Sequence, residues 1–250
     1  MKPGCSHYFV GVTGRKHPFF VKRIAILQSN YIPWKGYFDI INSVDEFVIY
    51  DEAQYTRRDW RNRNLIKTRN GLIWLTIPVK TKSRFSQKIC DTEINGNSWC
   101  NKHFNSIRHN YNNTKYFKEF AEIIMNAYHE SKSLKYLSDV NKLFLDIILS
   151  ILNIKTKISC SSEFNYSGNS TEKIISICRQ AGASEYLTGQ AAKSYLDEER
   201  VRKSGIRLLW MDYSGYPEYE QLYPPFEHRV SILDLIFNMG TEARNFMKSF

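Results

Sequence analysis

The segment TRRDWRNRN, residues 56–64, has the side chains of a site for a phosphorylated ligand. It holds four arginines within nine residues, with Trp60 among them. An arginine can fork onto a phosphate, and a tryptophan can stack on a base or a sugar ring. The carboxamides of Asn62 and Asn64 favour a ligand site over a solvated basic loop, since charge alone would not need them. We therefore expect a phosphate to meet one of four arginines: Arg57, Arg58, Arg61 or Arg63.

Polar residues also follow three apolar runs that have the character of buried strands. Gln28 follows residues 24–27, Asp51 follows EFVIY, and Gly189 follows EYLT. In open α/β sheets, ligands bind outside the carboxyl ends of the strands. Asp51 could meet a ligand there, or it could cap a turn. Between the first two strand ends and the arginine segment, three more side chains are candidates for substrate binding: Tyr31, Trp34 and Gln54.

The histidines and cysteines do not form a metal-binding pattern. His103 and His109 are six residues apart on a predicted helix, which differs from the i, i+4 spacing of paired metal ligands. His103 could serve as a general base, although a surface or packing role is the simpler interpretation for either residue. The five cysteines contain no C-x-x-C, and the chain has no Walker A, G-x-G-x-x-G or G-x-S-x-G motif. We therefore expect no metal and no resident cofactor.

Strands and helices alternate at both ends of the chain, which predicts an α/β fold with a mainly parallel, Rossmann-like sheet. Residues 1–21 are interpreted as an N-terminal extension and residues 22–250 as a single domain. Residues 99–152 have a helical pattern throughout and are predicted to be a helical insertion. Ser138, Ser170 or Thr171, and Ser231 are the expected helix caps, and residues 72–79 are expected to form a strand.

Charge and composition limit the class of partner. The formal net charge of +10 favours anionic partners such as nucleotides, nucleic acid, an acidic carrier protein or a membrane surface. Nucleic acid is disfavoured, because no helix-turn-helix, finger or RNA-binding signature is present. No run reaches the roughly 20 apolar residues of a membrane span. The number of cysteines is odd, and the first twenty residues do not contain the continuous apolar stretch of a signal peptide. We therefore expect a cytoplasmic location.

Four segments in a fixed order resemble the WbqC-like family of bacterial proteins. They are ILQSNYIPWKGYFDIINSVDEFVIYDEAQYTRRDWRNRN, WLTIPV, SEYLTGQAAKSYL and YEQLYPPFEHRVSILDLIFNMG, which run from about residue 24 to 240. The resemblance implies a role in O-antigen, lipopolysaccharide or other surface-polysaccharide biosynthesis. It implies transfer of an acyl or aminoacyl group to the amine of a nucleotide-linked amino-sugar. CoA or an acyl-carrier protein would be the donor.

Under this hypothesis Asp51 is the first candidate for the base that deprotonates the amine, and His103 is the second. Gln28, Asn62 and Asn64 would orient the substrate or stabilise the oxyanion. A non-catalytic module that binds a nucleotide, nucleic acid or a carrier protein is the alternative. An enzyme should gather these residues around one closed pocket, whereas a nucleic-acid binder should spread its basic residues along an open groove.

Overall fold

A sheet of five parallel strands forms the centre of the protein in a computed structural model that describes residues 21–250. Residues 1–20 of the predicted extension lie outside the described residues. The strands, in chain order, are β1 Arg23–Leu27, β2 Glu46–Ile49, β3 Arg63–Thr68, β4 Gly71–Thr76, β5 Lys157–Cys160, β6 Glu185–Thr188 and β7 Arg207–Trp210. The order in the central sheet is β5-β2-β1-β6-β7. The fold is therefore α/β with a Rossmann-like parallel sheet.

Helices cover both faces of this sheet. They are α1 Lys35–Asn42, α2 Ser98–Tyr111, α3 Phe117–Glu130, α4 Leu137–Ile151, α5 Ser170–Gln180, α6 Glu198–Lys203 and α7 Ile232–Met239. The strand β1 shows why two layers of helices are needed. Ile24 and Ile26 pack into one hydrophobic core with α5 and α6, whereas Ala25 packs into the other core with α1 to α4 and α7. Successive strand side chains point to opposite faces, so a strand that is apolar throughout must be covered on both sides.

The central sheet takes strands from both ends of the chain. β1 and β2 come from its first third, and β5, β6 and β7 from its last third. Helices α2, α3 and α4 lie between these two groups in the sequence. Their buried residues Ile107, Ile124 and Ile148 join the same core as α1.

The strand predicted for residues 72–79 is shorter than expected and lies in a different sheet. β3 and β4 pair antiparallel as a separate hairpin, with Arg63 opposite Thr76 and Thr68 opposite Gly71. Most of β4 is exposed. Gly71 adopts a φ of +106°, which a glycine tolerates in the tight turn between the two strands.

Helix caps were predicted with mixed success. Ser231 is confirmed as the cap of α7, since its Oγ accepts a hydrogen bond from the Leu233 amide at 3.3 Å. The prediction for α5 was wrong, because Asn169 is the cap and accepts from the Glu172 amide at 3.0 Å. Ser138 lies inside α4 and makes no cap bond. Asparagine and serine cap helices equally well, so sequence alone could not choose between adjacent residues.

Candidate functional site

A cavity of about 800 Å³ opens at the carboxyl ends of β1, β2 and β6. β1 pairs with β2 on one side and with β6 on the other. The chain therefore leaves β1 toward one side of the sheet and later returns to fill the other side. This reversal of direction leaves a crevice outside the carboxyl ends of the strands, where open α/β proteins bind their ligands.

The turn between β1 and α1 supplies the first wall of this cavity, which includes Gln28, Asn30, Trp34 and Tyr37. Tyr37 donates a hydrogen bond to the Gln28 carbonyl at 2.9 Å and so ties the turn to the helix. The indole of Trp34 folds back over Gly36, where a Cβ atom would lie 2.3 Å from Trp34 Cζ2. Only a glycine at position 36 leaves room for the ring in this position.

Two cationic side chains, Arg61 and Lys173, lie on the wall of the cavity. Arg61 donates to Asn30 Oδ1 and lies 3.7 Å from Asp59, which holds its guanidinium in place. Lys173 forms no ion pair with any residue between 21 and 250. It projects from the first turns of α5, whose N-terminal residue Ser170 also lines the cavity. The positive end of the helix dipole adds to the two cations, so this wall favours an anion.

Aromatic rings and one carboxylate complete the wall. Tyr50, Tyr195 and Tyr213 line the cavity together with Glu52. Glu52 Oε2 accepts hydrogen bonds from Ser161 Oγ and Tyr166 Oη, which fix its position. The cavity thus combines cations, flat rings and a held carboxylate.

Asp51, the first predicted base, is not among the residues that line the cavity. Its two carboxylate oxygens accept from the Ser29 amide at 2.8 Å and from Ser29 Oγ at 2.7 Å. Asn141 of α4 donates to the same hydroxyl at 2.9 Å. Burial raises the pKa of Asp51 despite these hydrogen bonds. In this arrangement Asp51 ties the ends of β1 and β2 to α4.

His103, the second predicted base, lies in a buried aromatic cluster with Tyr31, Trp99, Tyr128 and Phe144. The hydroxyl of Tyr31 lies 2.9 Å from His103 Nδ1 and 2.6 Å from the hydroxyl of Tyr128. Burial lowers the pKa of His103 to about 4, so the imidazole is neutral at pH 7. Neither His103 nor Tyr31 lines the cavity.

The arginine segment spreads over the surface beside the cavity. Arg57 donates to the Thr81 carbonyl at 3.0 Å, and Arg63 donates to the Arg58 carbonyl. The guanidinium of Arg63 also lies 4.0 Å from the centre of the Trp74 ring. Of the four arginines named as phosphate contacts, Arg61 lines the cavity and the other three do not.

The side-chain amides of Asn62 and Asn64 donate hydrogen bonds to backbone carbonyls. Asn62 donates to the Ile77 carbonyl at 2.8 Å, and Asn64 donates to the carbonyls of Tyr31 and Ile32 at 3.0 Å each. Ile32 has a φ of +37°, an unusual conformation for a branched residue, and the Asn64 amide holds that turn. The two carboxamides that the sequence suggested as ligand contacts therefore stabilise the conformation of the loop.

The structure brings five of the residues predicted to contact a ligand into the cavity: Gln28, Trp34, Gln54, Arg61 and Gly189. Sequence reasoning missed several others that line it: Asn30, Tyr50, Glu52, Ser170, Lys173, Gln190, Tyr195 and Tyr213. Glu52 adjoins Asp51 in the turn after β2, and the sequence alone does not show which of the two carboxylates faces the cavity. Lys173 had no local signal, because only the crossover to β6 brings it to the end of β1.

Residues 28–246, which include every polar residue of the cavity wall, match the WbqC-like protein family. The chain belongs to that family. A relative from Mycobacterium tuberculosis (strain ATCC 25618 / H37Rv), Uncharacterized protein Rv1507c, is 46% identical over 228 residues. The match covers 91% of this WbqC-like chain and 98% of the relative. No solved structure matches at a significant level.

The part of this WbqC-like chain that the structure describes has neither a membrane-spanning helix nor a metal-binding cluster. Among residues 21–250, no helix has the length and apolar character required to cross a bilayer. In the same residues, no three His, Cys, Asp or Glu side chains are grouped so that they could hold a metal ion.

Proposed function

We propose that this protein is a tailoring enzyme of surface-polysaccharide biosynthesis that transfers an acyl or aminoacyl group to the amine of a nucleotide-linked amino-sugar. The observation that carries the proposal is the cavity at the carboxyl ends of β1, β2 and β6. Its volume of about 800 Å³ lies within the range of small-molecule sites, roughly 300–1,000 Å³. The four described cysteines are free, which supports a reducing compartment such as the cytoplasm.

The cations and rings of the cavity suit the parts of a nucleotide-sugar. Arg61, Lys173 and the first turn of α5 offer positive charge for a diphosphate. The rings of Tyr50 and Tyr195 offer flat surfaces for a base or a sugar. In this arrangement the amino group of the sugar lies near Glu52.

Glu52 serves as the base of the proposed reaction. The sugar ammonium gives a proton to the Glu52 carboxylate, and the freed nitrogen lone pair attacks the carbonyl carbon of a thioester donor. The new C–N bond forms, the C–S bond breaks, and the departing thiolate takes up the second proton that the nitrogen releases. Side-chain amides of Gln28, Gln54 and Gln190 are the candidate donors to the oxyanion.

Binding of UDP by calorimetry tests the proposal. Replacing Lys173 with Ala should weaken UDP binding roughly tenfold or more, because a charge-assisted hydrogen bond contributes about 1.5–3 kcal/mol. Lys142→Ala is the matched control. Lys142 is an exposed lysine of α4 paired with Asp146 at 2.6 Å, so its loss changes the net charge equally without touching the cavity. Equal affinities for the two variants, or no UDP binding by the unmodified protein, would contradict the proposal.

The alternative is a non-catalytic binding module, and one surface favours it. The β3–β4 hairpin exposes Leu72, Ile73 and Trp74, with the guanidinium of Arg63 over the Trp74 ring. Such a surface can stack on bases of a single-stranded nucleic acid. Binding of an oligonucleotide that falls steeply with salt and is lost in Trp74→Ala would support this function. If no such binding is found, the nucleic-acid-binding function is excluded.

A further inference from the structure

A second, smaller cavity of about 290 Å³ lies beside the first. Asn30 and Trp34 line both cavities, so these two residues form the boundary that the cavities share. Pro33, Trp60, Asn64 and Arg229 form the remaining wall. Two spaces that share a wall can hold two reactants whose reactive groups meet at the shared residues.

The wall of this second cavity is apolar. The rings of Trp34, Trp60 and Pro33 form most of it, and the Asn64 carboxamide is already engaged. The Asn64 amide donates to two backbone carbonyls, and its oxygen accepts from the Leu65 amide at 2.7 Å. Water in such a space has few partners, so an apolar group gains by displacing it.

Charge disfavours one of the two donor classes that the proposed function leaves open. Among the described residues that line the second cavity, Arg229 alone carries a charge. Glu227 is the acidic group beside it and lies 3.4 Å from the Arg229 guanidinium. An aminoacyl group carries an ammonium that would meet this arginine and two indoles, and the nearby Glu227 carboxylate is already paired with Arg229. The indole faces attract a cation, but this attraction is smaller than the cost of removing an ammonium from water, so its transfer into this space is unfavourable.

We propose that the second cavity binds the hydrocarbon part of a short, apolar acyl donor, so that the transferred group is acyl and not aminoacyl. This inference rests on the proposed function and specifies its donor. The acyl chain lies between Trp34 and Trp60, and its thioester carbonyl lies at Asn30, where the two cavities meet. The volume is at the lower end of the range of ligand sites and suits a short chain rather than a second nucleotide.

The test measures binding of the N-acetylcysteamine thioester of hexanoic acid, a neutral donor without a nucleotide. Trp60→Ala should weaken its binding at least roughly fivefold, since the variant removes one apolar wall. Trp60→Phe should retain most of the affinity, and UDP affinity should change less than about twofold in both variants, because Trp60 does not line the first cavity. Phe85→Ala is the control, since Phe85 is exposed and lines neither cavity.

A second probe separates the donor classes. The matching thioester of 6-aminohexanoic acid differs by a terminal ammonium and should bind at least roughly fivefold more weakly than the hexanoyl thioester. No binding of the hexanoyl thioester, equal binding by Trp60→Ala, equal binding of the two thioesters, or competition with UDP would each overturn the inference. If the hexanoyl thioester binds in a Trp60-dependent manner while UDP does not bind, the second site stands and the nucleotide-sugar function fails.

Discussion

The pH dependence of stability should report on His103. We consider His103→Asn, which removes the titrating ring and keeps a side-chain oxygen that can accept from the Tyr31 hydroxyl. The neutral imidazole fits the cluster because Nδ1 can accept from Tyr31 when Nε2 carries the proton. The charged imidazolium has no carboxylate within hydrogen-bonding distance among residues 21–250. Protonation of the folded state is therefore unfavourable.

The magnitude follows from the pKa of His103, which burial lowers from 6.5 to about 4. The unfolded chain binds a proton near pH 6.5, whereas the folded protein binds it only near pH 4. Stability from this group is therefore present above pH 6.5 and is lost as the pH falls through 4. A difference of about 2.5 pKa units corresponds to about 3 kcal/mol in total, at about 1.4 kcal/mol for each unit.

Urea denaturation at about pH 7 and about pH 4.5 measures this effect. Between these two conditions the unmodified protein should lose about 2 kcal/mol more stability than His103→Asn. His109→Asn is the matched control, since His109 is exposed on the same helix and lies outside the aromatic cluster. If His103→Asn loses as much stability on acidification as the unmodified protein, the conclusion that His103 is buried in its neutral form is refuted.

Three other substitutions test the cavity. Glu52→Gln should slow acyl transfer at least roughly tenfold with UDP affinity retained, since it removes the proposed base; full activity would exclude that role. Asp51→Asn should lower the free energy of unfolding by about 1–3 kcal/mol, because the Asn side chain has only one oxygen to accept the two hydrogen bonds that Ser29 donates. A UDP titration of this variant should give an unchanged affinity. Gly36→Ala should displace the Trp34 indole, cost about 1–3 kcal/mol in a denaturation experiment and weaken UDP binding; unchanged tryptophan fluorescence would show that the ring has not moved.

The sequence by itself determined the fold class and the general position of the cavity. Apolar runs alternate with amphipathic helices, and such strands need cover on both faces, so a parallel sheet follows. The polar residues that follow β1 and β6, Gln28 and Gly189, indicated which end of the sheet would hold a ligand. Both line the cavity. These inferences depend on local periodicity, which a single sequence displays directly.

Only the tertiary structure decided which side chains face the cavity. Asp51 and Glu52 are neighbours with the same chemistry, and their directions are set by how β2 ends against β1 and α4. Asn62 and Asn64 have side chains that could contact a ligand, but in the folded loop they donate hydrogen bonds to backbone carbonyls. Lys173 reaches the cavity because α5 begins where β1 ends. The approach of α5 to the end of β1 depends on the order of the strands in the sheet. Residue type and spacing along the chain do not show this order.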